Sequence, residues 1–256
     1  MKETQIATPE SGAPRALSQE ELFGLLCQIC SKRAEREALD KLTTDDWARL
    51  WAQSIRHKVG PVVSCALQYM GVEFHPSIAA EVKAHNHQNL MRAMHHCAEL
   101  ARLTKLFNNN DIRFLAFKGI ALLGLLKRDL NQRQCGDIDL LIIEHESIVK
   151  ADKLLCAAGY EKIHEPDRAA LANRKLLKFF SIKDIVYRHT VTNTVLELHF
   201  SLFNIDLLPL SNSHFFENRS QIRLGGTAIP VMSREDHLLY LLLHGSVSRW
   251  IRLKWV

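Results

Sequence analysis

The protein has 256 residues, of which 47% are hydrophobic and 24% are charged. This length can bury a substantial core in one large domain or two small ones, and no stretch of about 18 uninterrupted apolar residues argues for a membrane span. The formal net charge of +5 is compatible with anionic partners. Because Lys and Arg are spread along the chain, without an aromatic RNA-binding motif or a zinc finger, nucleic acid is not a required partner.

The first 17 residues mix charged residues with prolines and lack the apolar segment of a signal peptide. They predict a disordered leader over 1–17 and a cytoplasmic protein. Six cysteines are scattered along the chain, which favours reduced thiols. Cys27 and Cys30 form a C-x-x-C pair in a helical pattern, but no second pair completes a zinc site, so helix packing is favoured over metal binding.

Residues 18–107 carry apolar side chains at three- and four-residue spacing, which predicts a helical N-terminal region that could dock a partner protein. Ser18 followed by Glu21 resembles a capping box, and glycines and prolines divide the region into about four helices. The last of these helices contains four histidines: His85, His87, His95 and His96. No carboxylate or cysteine completes an evident ligand set, so packing is favoured over zinc binding.

After residue 107, short apolar segments alternate with helical ones, which predicts an α/β unit over 108–232. The predicted strands lie at 112–117, 138–143, 160–163, 179–190 and 194–200, with helices at 119–126 and 148–158 and a loop or short helix at 206–218. A hairpin over 221–231 should turn at Gly225-Gly226. Ser233 should cap a C-terminal helix over 233–256.

The segment that opens the second strand carries two carboxylates, Asp137 and Asp139, at positions i and i+2. Strand alternation points both to the same side. Two anions placed in this way repel each other unless a cation lies between them, and Mg²⁺ prefers such oxygen ligands together with phosphate. The pair therefore indicates a metal site, although D-x-D pairs also occur at exposed strand ends and in sugar-nucleotide glycosyltransferases.

Two further segments strengthen this interpretation. At the junction of a predicted strand and helix, Gly119 would let the backbone approach a phosphate, and Lys118 would add a positive charge beside it. In a later strand, Glu197 alternates with apolar residues and would supply a third carboxylate if the two strands are adjacent. Each residue also has a structural alternative: a solvated lysine at a strand end, and an outward carboxylate on an amphipathic strand.

Taken in order, these segments resemble the uncharacterised nucleotidyltransferases of the NTP-transferase-5 type, within the polymerase-β-like superfamily. The resemblance spans residues 114–256. The segments that carry it are Phe117-Lys118-Gly119-Ile120-Ala121-Leu122, Arg133-Gln134-Cys135-Gly136-Asp137-Ile138-Asp139-Leu140-Leu141, Ala158-Gly159-Tyr160, Leu196-Glu197-Leu198-His199-Phe200, Leu242-Leu243-His244 and Arg249-Trp250.

The resemblance implies an α+β fold: the helical N-terminal region, a minimal nucleotidyltransferase palm made of a mixed sheet flanked by helices, and the C-terminal helix. It also implies an enzyme that moves a nucleoside monophosphate from an NTP to a hydroxyl group of a small molecule, peptide or protein. By analogy, Asp137 and Asp139 would hold two Mg²⁺ or Mn²⁺ ions, and Glu197 would join them on the ion that activates the acceptor.

Four more residues take roles from the resemblance. Lys118 and Arg133 would bind the phosphates, and Gly119 would permit their approach. His199 could position an acceptor or ligand, with a structural role as the equal alternative. The wider superfamily usually has Gly-Ser or Gly-Gly where this chain has Gly119-Ile120, so a hydroxyl contact to the terminal phosphate is missing and Lys118 would compensate.

The chain ends inside the predicted C-terminal helix and resembles a shortened form. Helix packing is therefore favoured over ligand binding for three residues of this helix: His244, Arg249 and Trp250. Two other functions stay open. One is a catalytically silent nucleotide-binding module, antitoxin-like or a biosynthetic-cluster partner, which would dock a protein through its helical N-terminal region. The other is a D-x-D glycosyltransferase, disfavoured because the chain before the motif is helical.

Overall fold

The computed structural model describes residues 16–163, 183–202 and 211–253. Within these ranges it contains nine α-helices and one mixed sheet of seven strands, so the predicted α+β class is confirmed. The chain divides after Lys83 into two compact units. Among the helices of the described ranges, none has both the length and the apolar character that crossing a membrane requires.

The first unit is built from helices, as the apolar spacing predicts. They are α1 (Gln19–Cys30), α2 (Arg36–Asp40), α3 (Thr44–Arg56), α4 (Gly60–Tyr69) and the start of α5 (Pro76–Asn108). The capping box predicted at the start of α1 is confirmed: the Glu21 N–H donates to the Ser18 hydroxyl, and the Ser18 N–H donates to the Glu21 carboxylate. α1 packs against α3 and α4 through buried leucines and isoleucines.

α5 crosses from the first unit into the second. Its end at Asn108 lies beside the predicted domain boundary at residue 107, whereas the division into compact units falls within the helix, after Lys83. The domain boundaries 18–107, 108–232 and 233–256 therefore stay a prediction.

The second unit contains the sheet and its covering helices. Its strands are β1 (Phe114–Phe117), β2 (Ile138–Ile142), β3 (Tyr160–Lys162), β4 (Asp184–His189), β5 (Val195–His199), β6 (Ser220–Leu224) and β7 (Thr227–Val231). Its further helices are α6 (Gly119–Leu125), α7 (Ser147–Ala157), α8 (Asn212–Glu217) and α9 (Arg234–Val247). The predicted hairpin is confirmed as β6 and β7, while residues 179–182 and 206–210 of two predicted elements lie outside the described residues.

α9 includes the predicted helical stretch through His244 and ends at Val247, while residues 254–256 of the predicted C-terminal helix lie outside the described residues. Ser233 caps its start, as expected, by accepting the Asp236 N–H. After Val247, Arg249 and Trp250 adopt φ angles of 52° and 51°, which end the helix. The Trp250 N–H donates to the Gly245 carbonyl, and the indole covers the space that a Cβ on Gly245 would fill. The sequence pattern is apolar on both sides of this turn, so it does not mark the end.

The sheet has the strand order β3-β4-β5-β2-β1-β7-β6. β2 lies at its centre, parallel to β5 and antiparallel to β1. β4 is antiparallel to β5, and β7 is parallel to β1. The carboxylate-bearing strands β2 and β5 are thus direct neighbours.

Alternation along the strands separates two apolar layers. Leu140 and Leu198 face a core formed with α5, α6 and α7, whereas Phe117 and Leu141 face a second core, to which α9 contributes Tyr240. Polar residues that alternate with Leu140 and Leu198 therefore point to the side of the sheet that α8 and α9 cover.

Candidate active site

The strand register brings Asp139 of β2 directly beside Glu197 of β5. The neighbours of both residues along their strands belong to the core formed with α5, α6 and α7. Because side chains alternate along a strand, both carboxylates therefore lie on the α9 side of the sheet. The Asp139 side chain is fully buried, and that of Glu197 is 25% exposed. Within the described part of the chain, Asp139 Oδ2 is buried without a hydrogen-bond partner, which is uncommon for a carboxylate oxygen.

His199 completes a cluster with these two carboxylates. It lies two positions after Glu197 on the same face, and its side chain is fully buried. Its Nε2 lies 3.3 Å from Asp139 Oδ1 and 3.2 Å from Glu197 Oε2. In the described residues, these three side chains form the one group of His, Cys, Asp or Glu whose ligand atoms converge within 4.8 Å. The four histidines of α5 are not part of it.

Asp184, a residue outside the motifs that predicted the site, faces the other nitrogen of His199. β4 places Asp184 opposite His199, and Asp184 Oδ2 lies 3.4 Å from Nδ1. This is an ion-pair distance without hydrogen-bond geometry, since Nδ1 is buried with no hydrogen-bond partner among the described residues. Lys183 forms an ion pair with the same carboxylate. Both ring nitrogens of His199 thus lie close to carboxylate oxygens.

The Lys118 ammonium lies inside this acidic cluster. Its Nζ donates a hydrogen bond of 2.6 Å to Asp139 Oδ1 and lies 3.7 Å from Glu197 Oε2. Burial alone would lower the pKa of Lys118, but the charges of Asp139, Tyr240 and Glu197 and the hydrogen bond to Asp139 together outweigh it, and the pKa lies above its ordinary value. Burial alone would likewise raise the pKa of Asp139, but Lys118 and His199 hold it well below its ordinary value.

Aromatic side chains enclose the ammonium. Nζ lies 5.1 Å from the ring centroid of Phe117 and 5.4 Å from that of Tyr240, and these two rings contact each other edge to face. Cation–π attraction adds to the ion pair at such distances. Lys118 is therefore an enclosed part of the site, and its position is not that of a solvated lysine at a strand end.

The backbone of Lys118 has an uncommon conformation. Its φ of 56° and ψ of −158° lie in a region that L-residues rarely adopt. The Lys118 N–H donates to His237 Nε2 at 2.9 Å. The other nitrogen, Nδ1, lies 3.1 Å from the Met232 carbonyl, so Nδ1 carries the proton of a neutral ring. Burial lowers the pKa of His237 to about 4, which keeps the ring neutral.

Gly119 lies at the start of α6 with a φ of 31°. A Cβ at this position would stand 3.4 Å from the Asp137 carbonyl oxygen and 3.9 Å from Cys135 Sγ. The glycine therefore lets the β1–α6 junction pack against the segment that leads into β2. Asp137 itself is half-buried immediately before β2 and does not belong to the converging group.

Arg133 precedes this segment and is half-buried. Its carbonyl accepts a hydrogen bond of 3.2 Å from Asn89 of α5. Its positive charge is near enough to His237 to contribute, after burial, to the lowered pKa of that ring. Of the residues that the sequence predicted, the structure thus brings together Lys118, Asp139, Glu197 and His199, whereas Asp137 and Arg133 do not join this cluster.

The family described as "Uncharacterised nucleotidyltransferase" matches residues 43–256. The chain belongs to this family. The resemblance that the sequence motifs predicted is therefore confirmed, and the cluster on β2 and β5 is the candidate active site of a nucleotidyltransferase. No match was found among curated proteins.

Three solved structures are distantly similar to this nucleotidyltransferase. The antibiotic-resistance factor ANT(2'')-Ia has 12% identity and a TM-score of 0.41, over 62% of this chain and 74% of its own. An antigenic nucleotidyltransferase-like protein from Paracoccidioides brasiliensis has 20% identity and a TM-score of 0.42, over 62% and 69%. A putative nucleotidyltransferase from Thermotoga maritima has 13% identity and a TM-score of 0.43, over 61% and 88%.

Proposed function

We propose that this nucleotidyltransferase depends on a divalent cation and transfers a nucleoside monophosphate from an NTP to a hydroxyl group of a small molecule, peptide or protein. The observation that carries the proposal is the register of β2 and β5, which sets Asp139 beside Glu197 on one face. Two carboxylates brought together need positive charge between them, which the Lys118 ammonium supplies in this structure and a divalent cation would supply when bound.

The residues present fit a divalent cation. Asp139 Oδ2 is buried and has no hydrogen-bond partner among the described residues, so a ligand oxygen is available there. Asp139 and Glu197 would hold the ion, with Asp137 as a third carboxylate because it lies two positions before Asp139 at the same strand end. A bound divalent cation would supply charge neutralisation at the triphosphate and would lower the pKa of an attacking hydroxyl group.

Glu197 is suited to the acceptor side of the site because its side chain is partly exposed, whereas Asp139 is enclosed. The acceptor hydroxyl would form a new bond to the α-phosphorus as the bond to the β-phosphate oxygen breaks. Pyrophosphate leaves, and the hydroxyl proton passes to a carboxylate or to water. Glu197 would hold the acceptor oxygen in line for this displacement.

Three residues would bind the triphosphate. Lys118 carries the ammonium nearest to the carboxylates, and Arg133 adds a second cation on the approach to β2. As the resemblance implies, Gly119 would permit the phosphates to approach the backbone. Because the residue after Gly119 has no hydroxyl group, Lys118 would be the main contact to the terminal phosphate. Loss of the Lys118 side chain should therefore weaken nucleotide binding strongly.

Labelled nucleotides test this proposal directly. The protein is incubated with Mg²⁺ or Mn²⁺ and each α-phosphate-labelled NTP, with and without cell extract that supplies acceptors. We expect label on an acceptor with the wild type and none with Asp139→Asn. Asp152→Asn is the matched control, because Asp152 is also a buried carboxylate paired with a lysine, Lys162, and lies outside the candidate site.

The remaining outcomes separate the alternatives. Nucleotide binding without transfer under every condition would contradict the proposed enzyme and support a catalytically silent binding module. Turnover of a UDP-sugar in place of an NTP would support a glycosyltransferase instead. Equal transfer by the wild type and Asp139→Asn would show that the catalytic site does not include Asp139.

A further inference from the structure

Three atoms that could bind a metal converge in the candidate site, and one of them is a nitrogen, whose proton lies towards the two carboxylates and would give way to a bound cation. Asp139 Oδ1, Glu197 Oε2 and His199 Nε2 belong to the group whose ligand atoms lie within 4.8 Å of one another. Nε2 lies 3.3 Å and 3.2 Å from the two oxygens. Three atoms at such separations need only small movements to bind one shared cation, each at about 2.0–2.2 Å. The orphaned Asp139 Oδ2 is a second, independent sign that a ligand belongs here.

We propose that His199 Nε2 is a direct ligand of the divalent cation, together with Asp139 and Glu197, and that the site therefore prefers a first-row transition ion such as Mn²⁺ over Mg²⁺. This inference rests on the proposed function, because it concerns the same metal site. Mg²⁺ favours all-oxygen ligand sets, whereas imidazole is a ligand for transition ions.

The fold holds His199 in the orientation that such a ligand needs. Its side chain is fully buried, and the Phe117 ring contacts it edge to face at a centroid distance of 4.9 Å. Asp184 lies 3.4 Å from Nδ1, on the paired position of β4. Metal-bound histidines usually turn their second nitrogen towards a carboxylate or carbonyl, which fixes the tautomer with Nε2 free for the metal. With a metal on Nε2 the ring proton would lie on Nδ1 and Asp184 would accept it, so Asp184 would act as a positioning residue through His199.

The Lys118 ammonium lies at the location proposed for the cation. Its ammonium uses Asp139 Oδ1 and approaches Glu197 Oε2, which are two of the three proposed ligand atoms. A dication bound to these oxygens repels the ammonium and competes with it. The inference therefore includes a shift of the Lys118 ammonium away from Asp139 when the metal binds.

Pulsed electron paramagnetic resonance of the Mn²⁺-loaded full chain tests the inference without any catalytic assay, because it detects nitrogen bound to the ion. We expect ¹⁴N coupling in the wild type, and its replacement by the ¹⁵N pattern when the protein is made with ¹⁵N-labelled histidine. His199→Gln should lose the coupling and bind Mn²⁺ at least about tenfold more weakly. His145→Gln is the control, because His145 follows the far end of β2, and it should keep both.

Asp184→Asn keeps the inference testable if His199→Gln does not fold. It should retain nitrogen coupling but weaken Mn²⁺ binding by about tenfold, as loss of the partner behind a metal-bound histidine usually does. Mn²⁺ that shows no nitrogen coupling in the wild type, or coupling that persists in folded His199→Gln, would overturn the inference. Equal affinity for Mg²⁺ and Mn²⁺ would overturn the stated preference.

The two proposals fail in different ways. Nitrogen coupling without any nucleotidyl transfer would remove the proposed function and leave the metal site. Transfer by a protein whose bound Mn²⁺ has oxygen ligands alone would leave the function and remove His199 as a ligand.

Discussion

The Lys118 N–H donates to Nε2 of His237, a residue 119 positions later in the chain, at 2.9 Å. This hydrogen bond joins the C-terminal helix α9 to the β1–α6 junction at a residue with a φ of 56°. Uncommon backbone conformations of this kind cost about 1–3 kcal/mol and persist where the surrounding structure enforces them. The acceptor on α9 therefore helps to hold the lysine whose ammonium enters the acidic cluster.

Replacing His237 by Leu should expose this role. The change removes the acceptor and leaves the partly buried Lys118 N–H unsatisfied, so the free energy of unfolding should fall by about 1–3 kcal/mol. Urea denaturation at neutral pH measures this fall. His237→Gln is the control, since its side-chain oxygen can still accept the hydrogen bond, and it should lose less. If Leu and Gln cost the same, the hydrogen bond is not what stabilises the junction.

The pH dependence of stability should carry the signature of His237. Its pKa is lowered from 6.5 to about 4 by burial, so the unfolded chain binds a proton on this ring more readily than the folded protein does. The stabilisation is complete above pH 6.5 and is lost as the pH falls through 4. The loss is on the order of 2–3 kcal/mol.

Urea titrations between pH 7 and 4 check this dependence. Burial also lowers the pKa of His96 to about 4, so His96 should contribute to the same decline. In His237→Gln the decline should therefore become shallower without disappearing. An unchanged slope in that variant would contradict the assigned role of His237.

Lys118→Met should show that the ammonium and a divalent cation share one location. Removing one partner of a buried ion pair typically costs about 3–5 kcal/mol, because the other charge is left uncompensated. The Lys118 and Asp139 side chains are 13% and 0% exposed, so we expect a large loss of stability without metal. Saturating Mn²⁺ should restore most of it, while NTP affinity should fall by about tenfold or more.

A second buried pair gives the control for this experiment. Lys162 and Asp152 are 3.0 Å apart, with side chains 6% and 9% exposed, and they lie in the same compact unit. Lys162→Met should be destabilised as well, but Mn²⁺ should not restore it. Thermal unfolding with and without Mn²⁺ compares the two variants, and equal responses to the ion would contradict a shared cation location at Lys118.

Much of the cluster was predictable from local patterns. Asp139 and Glu197 each alternate with apolar residues, which is enough to place both on a polar strand face. Their contact depends on β2 pairing with β5 in one register, and strand order between segments so distant in sequence is not encoded in a local pattern. Family resemblance supplied that neighbour relationship in advance.

Asp184 and His237 show what local patterns miss. Asp184 begins a strand of alternating residues, so the face of the strand on which it lies could be predicted. Its position opposite His199 follows from the antiparallel register of β4 and β5, which the local pattern does not contain. His237 lies in α9, and no local pattern in the sequence marks it as part of the site. Its contact to the Lys118 backbone is a tertiary hydrogen bond, which has no sequence signal.

Gly119→Ala should test how closely the β1–α6 junction must approach the segment before β2. The φ of 31° is unfavourable for alanine, and the added Cβ would stand 3.4 Å from the Asp137 carbonyl oxygen, so unfolding should become easier by about 1–2 kcal/mol. Gly24→Ala is the matched control: it lies inside α1 with no neighbouring atom within 4 Å, and alanine there should stabilise the helix by about 0.5–1 kcal/mol.

The effect of Gly119→Ala on nucleotidyl transfer should exceed its effect on folding. The φ of 31° is unfavourable for alanine, so the β1–α6 junction should shift beside Lys118 and Asp137, and transfer should fall even at temperatures where the variant is fully folded. Circular dichroism defines those temperatures, and label transfer is then compared with that of Gly24→Ala. Full activity in a folded Gly119→Ala variant would show that phosphate does not approach this glycine.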